Sequence, residues 1–473
     1  MMAMEVQERI LGAVLGLAVG DALGVPVEFL PREALRREPV TGMRGFGSHH
    51  QPPGTWSDDT SLAMCLLESL LGAGFSPEDA GRRFAAWHDS NYWTARGSVF
   101  DVGNATAEAI RRLKRGTPAV EAGGRGETDN GNGSLMRLLP ASIYFARSPK
   151  AMAARAISQF SSITHAHPRS RLACVLFSWM GSELLEGKDP AAALQEAKAR
   201  VGTLTGYAAE LEHFGLLLQQ DLAGLPEGRI SSGGYVVDTL TAAVWCLLGT
   251  GSFHDCVLRA VNLGGDTDTT GAVAGALAGL HYGVGGISTE WTEALARAKE
   301  IRDCAGRLHS LCAEPPPFPD SYWILPGKLL AGEYPGARKP EEAMRKLESL
   351  RRAGVSFVVD LTEEGERAGG APLQYTRCEV VRCPLPDGGV PERDSVRRAL
   401  DLLDQALGEG KTVYVQGRTG VVAGCWLQRH GLADAGSALA ILVQLRKNMP
   451  DAGKPSPETE GQRRLVRQWG RGE

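Results

Sequence analysis

The spacing of apolar residues divides the chain into two regions with different predicted elements. Up to about residue 312, apolar residues recur at intervals of three and four, which is typical of helices with one buried face. Helices are predicted at 58–73, 79–90, 149–160, 169–187, 207–223, 236–249 and 254–261. Strand patterns are nearly absent from this region, so we expect an all-α domain at 1–312.

Beyond residue 320, short apolar runs alternate with helical patterns. Strands are predicted at 355–361, 375–385 and 412–416, and helices at 339–353, 392–408, 420–430 and 436–447. A last helix is expected after Ser456, with that residue as the N-cap and Pro457 at the first helical position. These alternations indicate a smaller α/β domain at 321–473 with a mostly parallel sheet. The stretch "AEPPPFPD" at 313–320 is predicted to be the proline-rich linker.

Two stretches carry glycine at every fourth position. The first set is Gly12, Gly16, Gly20 and Gly24, and the second is Gly271, Gly275, Gly279 and Gly283. Each glycine inside a helix costs about 1 kcal/mol relative to alanine, so four in a row require a compensating gain. Close backbone approach would supply it. We therefore predict two central helices, each with its glycine stripe against a neighbour.

Composition and charge exclude some classes of protein. The chain has 473 residues, a net charge of -4 and a pI near 6.3. Bulk attraction to nucleic acid or anionic lipid is therefore not expected, and nucleic acid is expected only as a modified substrate. Nine cysteines without a CxxC pair indicate reduced thiols and a cytoplasmic location. The apolar stretch at 10–24 is not a typical signal peptide, because Glu5 and Glu8 precede it and Asp21 interrupts it.

Two acidic clusters stand directly before apolar helical patterns. "WSDDTSLAMC" (56–65) holds Asp58 and Asp59, and "NLGGDTDTTGAVAGAL" (262–277) holds Asp266 and Asp268. Helix capping alone would explain one such cluster. If the two segments meet, however, four carboxylates share one cavity and repel each other unless a cation is bound. Carboxylate and hydroxyl oxygens suit magnesium or manganese and not zinc.

Six ordered motifs resemble the ADP-ribosylglycohydrolase family of the dinitrogenase-reductase-activating type. They are "GAVLGLAVGDALGVPVEF", "GTWSDDTSLA", "FDVGNAT", "GNGSLMR", "THAHP" and "GGDTDTTGAVAGAL". The resemblance covers about residues 8–310. It implies an all-α fold and a cleft for ADP-ribose with two Mg²⁺ (or Mn²⁺) ions at its base. The implied metal ligands are Ser57, Asp58, Asp59, Asp266, Asp268 and Thr269.

The same resemblance implies residues that contact the substrate. Catalytic roles are implied for Glu28, Asp59, Asp101 and Asp268, and sequence does not decide whether Glu28 or Asp101 positions the water. Substrate binding is implied for Gly131, Asn132, Gly133, Ser134, Arg137 and His165, with the glycine-rich turn as a candidate pyrophosphate cradle. Some of these residues have a structural alternative: a surface carboxylate or a structural hydrogen-bond acceptor for Glu28, a tight turn for 131–133, and an ordinary helix start for His165 and His167.

Residues 321–473 resemble the small dual-specificity and tyrosine phosphatases. The resemblance lies in "LPGKLLAGEYPG", "PLPDGGVPE" and "GRTGVVAGCWLQRHG", and it implies Asp387 as the general acid and Arg418 as the phosphate-binding arginine. That family needs a cysteine six positions before the arginine, where this chain has Thr412. We therefore predict no cysteine-based phosphatase activity. A residual anion pocket at Arg418 and a purely structural domain are both open.

The sequence thus favours a metal-dependent hydrolase that removes ADP-ribose from an acceptor. Three alternatives remain open: a non-catalytic ADP-ribose-binding module, a scaffold protein, and a metal-dependent phosphohydrolase. The complete set of oxygen ligands favours the hydrolase. The expected partners are ADP-ribose or an ADP-ribosylated substrate, and not a membrane. The acceptor and the oligomeric state do not follow from the sequence.

Overall fold

The computed structural model describes residues 5–219, 221–337, 339–363, 375 and 378–473. The chain divides into two compact units. The first unit runs to Leu71 and continues through Ser76–Arg147 and Ile157–His309, and the second comprises Gly72–Phe75, Ser148–Ala156 and Ser310–Glu473. The assignment of domains to 1–312 and 321–473 around a 313–320 linker stays a prediction.

The N-terminal region is helical, as predicted. Its helices are α1 (Val6–Gly24), α2 (Arg32–Arg37), α3 (Asp58–Ala73), α4 (Pro77–Ser90), α5 (Asn104–Lys114), α6 (Ala119–Ala122), α7 (Leu139–Tyr144), α8 (Lys150–Ser162), α9 (Pro168–Leu185), α10 (Pro190–Val201), α11 (Gly215–Gln219), α12 (Val236–Leu248), α13 (Phe253–Val261), α14 (Thr267–Tyr282), α15 (Thr289–Ala294) and α16 (Ala298–Ala313). Short 3₁₀ helices lie at Val25–Val27, Ala208–Phe214, Glu227–Arg229 and Val284–Gly286. The prediction of one helix over 207–223 is wrong. A 3₁₀ helix gives way there to α11 at Gly215, a residue of low helix propensity.

The two glycine stripes pack against each other. A Cβ atom on Gly20 would lie 2.0 Å from the Gly271 carbonyl oxygen, and one on Gly16 would lie 2.4 Å from that of Gly275. This pairing makes α1 and α14 antiparallel, with their backbones in direct contact. Both helices are buried along almost their whole length. The predicted central helix pair is therefore confirmed.

Helix α1 is also apolar enough to resemble a membrane span. The stretch Val6–Val27 contains an 18-residue window of mean hydropathy 2.0. Within the fold, 94% of that window is buried. The packing of α1 against α14 thus accounts for its apolar character.

The C-terminal unit contains a five-stranded mixed sheet. Its strands are β1 (Ser321–Leu325), β2 (Leu329–Gly332), β3 (Val355–Asp360), β4 (Glu379–Arg382) and β5 (Thr412–Gln416), and its helices are α17 (Pro340–Arg352), α18 (Arg393–Gly408), α19 (Thr419–Arg429), α20 (Ala438–Leu445) and α21 (Glu460–Arg467). The strand order is β1-β2-β5-β3-β4. Only the β1–β2 pair is antiparallel, so the predicted α/β class with a mostly parallel sheet is confirmed.

Two predictions for this unit need correction, and two strands were not predicted. Helix α21 is capped by Thr459 and not by Ser456, because the Thr459 hydroxyl and the Gln462 side chain form a capping box that satisfies two backbone N–H groups. The strand predicted at 375–385 is restricted to Glu379–Arg382, and residues 376–377 lie outside the described residues. Strands β1 and β2 were not predicted from sequence.

Candidate active site

Helix α1 positions both acidic clusters. Its last residue, Gly24, lies against the backbone of Asp268 at the start of α14, and the Thr267 hydroxyl donates to the Gly24 carbonyl over 2.8 Å. One turn earlier, the buried Asp21 carboxylate accepts backbone N–H groups from Ser57 and Thr60 at 2.9–3.1 Å. The start of α3 and the start of α14 are therefore held at the same end of α1.

The two clusters meet, as predicted. The Thr269 hydroxyl donates to Oδ1 of Asp59 over 3.3 Å, across 210 positions of sequence. Asp58, Asp59 and Asp268 are each at most 5% exposed. Burial, followed by the charges of neighbouring carboxylates, raises the pKa of each of these three groups well above its usual range. The fold thus collects carboxyl groups that cannot all ionise without an added positive charge.

Within the part of the chain that the structure describes, three carboxylate oxygens of this cluster have no hydrogen-bond partner. They are Oδ2 of Asp59, Oδ1 of Asp266 and Oδ2 of Asp268, and each is buried. A buried oxygen without a partner is costly, and native proteins satisfy almost all such atoms. Carboxylate oxygens are also the preferred ligands of hard divalent cations. The donor set therefore fits Mg²⁺ or Mn²⁺.

Glu28 lies close both to acids of this cluster and to a second group of possible ligands, His49 and Asp101. One carboxylate oxygen from each of Glu28, Asp266 and Asp268 lies within 4.8 Å of the others, and the same spacing holds for ligand atoms of Glu28, His49 and Asp101. Burial raises the pKa of Glu28 to about 7, although the hydrogen bond with His49 acts in the opposite direction. Glu28 is therefore a buried acid and not a surface carboxylate.

Asp101 is partly buried, and its backbone lies in the left-handed region at φ 52°. Residues other than glycine rarely adopt this backbone conformation, and those that do are concentrated at functional sites. The structure places Glu28 and Asp101 side by side and does not separate their roles.

The turn at 131–133 contacts the acidic cluster through Asn132. The Asn132 amide donates to Oδ2 of Asp266 over 2.8 Å and to the Thr239 hydroxyl over 2.9 Å. A Cβ atom on Gly133 would lie 2.8 Å from the His165 ring, so packing against that ring requires glycine there. The turn therefore orients a candidate metal ligand, and its role as a pyrophosphate cradle stays a prediction.

The other predicted substrate ligands are enclosed by protein. Arg137 is 0% exposed: it donates to the Gly133 and Phe160 carbonyls and lies over the Phe84 ring at 4.8 Å. Ser134 accepts a hydrogen bond from Ser161 over 2.9 Å and is also fully buried. These contacts give both residues a structural role.

The histidines of the "THAHP" motif have structural partners. His165 is 2% exposed, with Nδ1 2.8 Å from the Thr164 hydroxyl, and burial lowers its pKa to about 3. His167 caps α9 by accepting the Arg169 N–H. Substrate contact by His165 stays a prediction.

Two residues near the site were missed by sequence reasoning. Asp21 appeared only as an interruption of an apolar pattern, yet it organises the start of α3. His49 lies in the loop "GSHHQPPG", where no periodicity or motif marks it, and its ring nitrogen contacts the Glu28 carboxylate. Asp21 could have been found because it is an acid inside the otherwise apolar pattern of α1. The sequence has no comparable signal for His49.

In the C-terminal unit, only Gly417 and Arg418 connect β5 to α19. The Arg418 guanidinium pairs with the Asp387 carboxylate at 2.6 Å. Cys425 is fully buried within α19, and burial raises its thiol pKa. A cavity of about 470 Å³ lies beside the start of α19, with Arg446 and Lys454 among its lining residues. Strand β5 runs almost directly into the turn that carries Arg418, as predicted.

Comparisons with known proteins agree with a helical N-terminal region followed by a smaller α/β unit. The family model for ADP-ribosylglycohydrolase matches residues 2–317, and the model for "Polymorphic toxin system, DSP-PTPase phosphatase" matches residues 334–432. ADP-ribosylarginine hydrolase Tri1 of Pseudomonas putida is 36% identical over 308 residues, which cover 64% of this chain and 78% of that protein. ADP-ribosyl-[dinitrogen reductase] glycohydrolase of Rhodospirillum rubrum is 35% identical over 294 residues, which cover 61% of this chain and 91% of that protein.

A solved structure described as an ADP-ribosylglycohydrolase-related protein complex superposes with a TM-score of 0.56 at 36% identity. The match covers 65% of this chain and 98% of that one. Together with the family model over residues 2–317, this shows that the chain is an enzyme of the ADP-ribosylglycohydrolase family, with a C-terminal phosphatase-like domain.

Proposed function

We propose that the N-terminal domain hydrolyses the glycosidic bond between ADP-ribose and an arginine side chain of a protein, with two divalent cations. The arginine acceptor is suggested by the similarity to ADP-ribosylarginine hydrolase Tri1. The cation requirement is supported by the three partnerless carboxylate oxygens of Asp59, Asp266 and Asp268, the single observation that carries this proposal most strongly. The proposed ligands are Ser57, Asp58, Asp59, Asp266, Asp268 and Thr269.

The reaction breaks the bond between the anomeric carbon of the ribose and a guanidinium nitrogen. Its transition state resembles an oxocarbenium ion, so a water must be held on one face while the departing nitrogen receives a proton. Bound divalent cations supply electrostatic polarisation of the oxygens they contact. Glu28, with a pKa near 7, is the chain's own candidate for taking up and delivering that proton. Asp101 lies beside it and is the alternative acid.

The direct test measures release of ADP-ribose from an arginine-ADP-ribosylated protein by mass spectrometry. We expect turnover with Mg²⁺ or Mn²⁺, none after chelation, and a loss of at least about 100-fold in Asp268→Asn. Glu290→Gln is the matched control, because Glu290 is an exposed acid in the first turn of α15. Binding of ADP-ribose without turnover would support the non-catalytic alternative.

We further propose that the phosphatase-like domain has no cysteine-dependent activity. The two-residue connection between β5 and α19 leaves no room for the loop that would carry a nucleophilic cysteine. Cys378, Cys383 and Cys425 each have a thiol pKa raised by burial, so none is poised as a thiolate. Turnover of an aryl phosphate that is lost in Arg418→Ala would contradict this proposal.

A cytoplasmic location stays a prediction.

A further inference from the structure

We propose that His49 is a positioning residue for Glu28: its Nε2–H holds one carboxylate oxygen of that acid beside the cation-binding carboxylates. The inference rests on the proposed function, in which Glu28 acts on the scissile bond. His49 Nε2 contacts Oε2 of Glu28, and Glu28 in turn lies within 4.8 Å of ligand oxygens of Asp266 and Asp268.

The loop that carries His49 is closed upon itself. Phe46 and Gln51 form an antiparallel bridge, so the intervening residues make a tight turn with His49 near its tip. Phe46 and His50 both have left-handed backbone conformations, at φ 70° and 54°. Strained backbone of this kind persists only where surrounding contacts enforce it. The turn is thus a defined structure that presents one particular side chain.

The same turn is docked on the segment that carries Glu28. The Ser48 N–H donates to the Pro26 carbonyl over 3.0 Å, and the Ser48 hydroxyl donates to the Glu28 carbonyl over 2.6 Å. A Cβ atom on Gly47 would lie 1.8 Å from the Pro26 carbonyl oxygen, so only glycine permits this approach. These contacts of Gly47 and Ser48, the two residues directly before His49, therefore fix the position of His49 relative to Glu28.

Aromatic rings limit the orientation of the imidazole. The His49 ring lies 6.1 Å from the Phe29 ring and 5.4 Å from the Phe100 ring, tilted against both. The side chain of Glu28 is 6% exposed and that of His49 is 16% exposed. The carboxylate is thus shielded from water, and the His49 ring is its hydrogen-bond partner. A hydrogen bond to a charged group under these conditions is strong enough to select one carboxylate orientation.

Glu28 needs such a partner because acids surround it. Ligand oxygens of Asp101, Asp266 and Asp268 all lie within 4.8 Å of one of its carboxylate oxygens. Phe29, the next residue, is held at φ 65° by its N–H bond to the Gly265 carbonyl over 2.7 Å, which fixes the backbone but not the carboxylate. A hydrogen bond to one carboxylate oxygen would hold Glu28 in a single orientation, and His49 Nε2 is the partner that contacts Oε2.

The test compares His49→Ala with His49→Gln, which retains an N–H donor. With arginine-ADP-ribosylated protein as the probe, we expect kcat to fall by roughly 10- to 100-fold in His49→Ala while KM changes by less than about threefold. His49→Gln should recover most of the lost kcat. His50→Asn is the matched control, because His50 is the exposed neighbour in the same turn and asparagine tolerates its left-handed backbone. That control should match the wild type.

Three results would overturn the inference: wild-type kcat in His49→Ala, no recovery in His49→Gln, or a loss confined to KM. Titration with Mn²⁺ by calorimetry should give equal stoichiometry for the wild type and His49→Ala, and a drop would assign His49 to cation binding instead. The proposed function fails separately, if the wild type itself releases no ADP-ribose. In that event NMR still tests the contact between His49 and Glu28. The ¹⁵N resonance of His49 Nε2 should shift in Glu28→Gln relative to the wild type, and an unchanged resonance would refute the pairing.

Discussion

The contact between α1 and α14 makes Gly275→Ala the most informative stability variant. A Cβ atom there would lie 2.1 Å from the Gly16 carbonyl oxygen and 2.8 Å from its carbon. Both neighbours are backbone atoms, so the helices themselves would have to move apart. Overpacking in a rigid core costs up to about 3 kcal/mol, and alanine gains about 1 kcal/mol in helix propensity. The expected net loss is therefore about 2 kcal/mol.

Differential scanning calorimetry of the full chain measures this effect. At roughly 2 °C per kcal/mol for a domain of this size, we expect the N-terminal transition to fall by about 4 °C. Gly306→Ala is the control, because Gly306 lies inside α16 and a Cβ atom there would meet nothing within 4 Å. That variant should rise by up to about 2 °C. An unchanged or higher transition in Gly275→Ala would refute the close-contact explanation of the glycine stripes.

Two further predictions concern buried titratable groups. Burial lowers the pKa of His165 to about 3 in the folded state, against near 6.5 in the unfolded state, so at this site only the unfolded state gains a proton as the pH falls from 7 to 5. This histidine therefore contributes a loss of about 2 kcal/mol to the change in stability between the two pH values. Urea unfolding at both pH values should show a smaller drop in His165→Gln, and an equal drop would contradict the assignment. Asp21→Asn should lose about 3 kcal/mol, because an amide cannot accept all the bonds from Ser57 and Thr60. Retained stability in that variant would mean that Asp21 does not organise the start of α3.

The sequence predicted those parts of the fold and site that depend on local pattern. Helix α3 begins and ends where its apolar spacing indicated, because its acids mark the start and its buried face follows a regular period. The glycine stripes indicated two central helices with close neighbours, since only close packing offsets four helical glycines, and the structure shows that each is the neighbour of the other. The sequence posed the meeting of the two acidic clusters as a condition, and the contact of Thr269 with Asp59 meets it.

Features that depend on long-range packing were not predictable. His49 reaches Glu28 only because two irregular segments dock on each other, and neither has a periodic pattern. Arg137 donates to the Gly133 and Phe160 carbonyls and lies over the Phe84 ring, contacts that no motif indicated, and its expected contact with a substrate stays a prediction. Nothing in a linear motif distinguishes a buried arginine from one that faces a cleft. Strands β1 and β2, of five and four residues, were not predicted from the sequence.

The most direct test of the central claim is the number of divalent cations bound by the purified chain, measured by mass spectrometry of metals after dialysis against Mn²⁺. The proposed binuclear site predicts two ions per chain in the wild type. The partnerless oxygens of Asp59, Asp266 and Asp268 predict fewer ions in Asp59→Asn and Asp268→Asn. A wild type that binds no ions, or variants that bind as many as the wild type, would contradict the proposal that these buried acids hold metal.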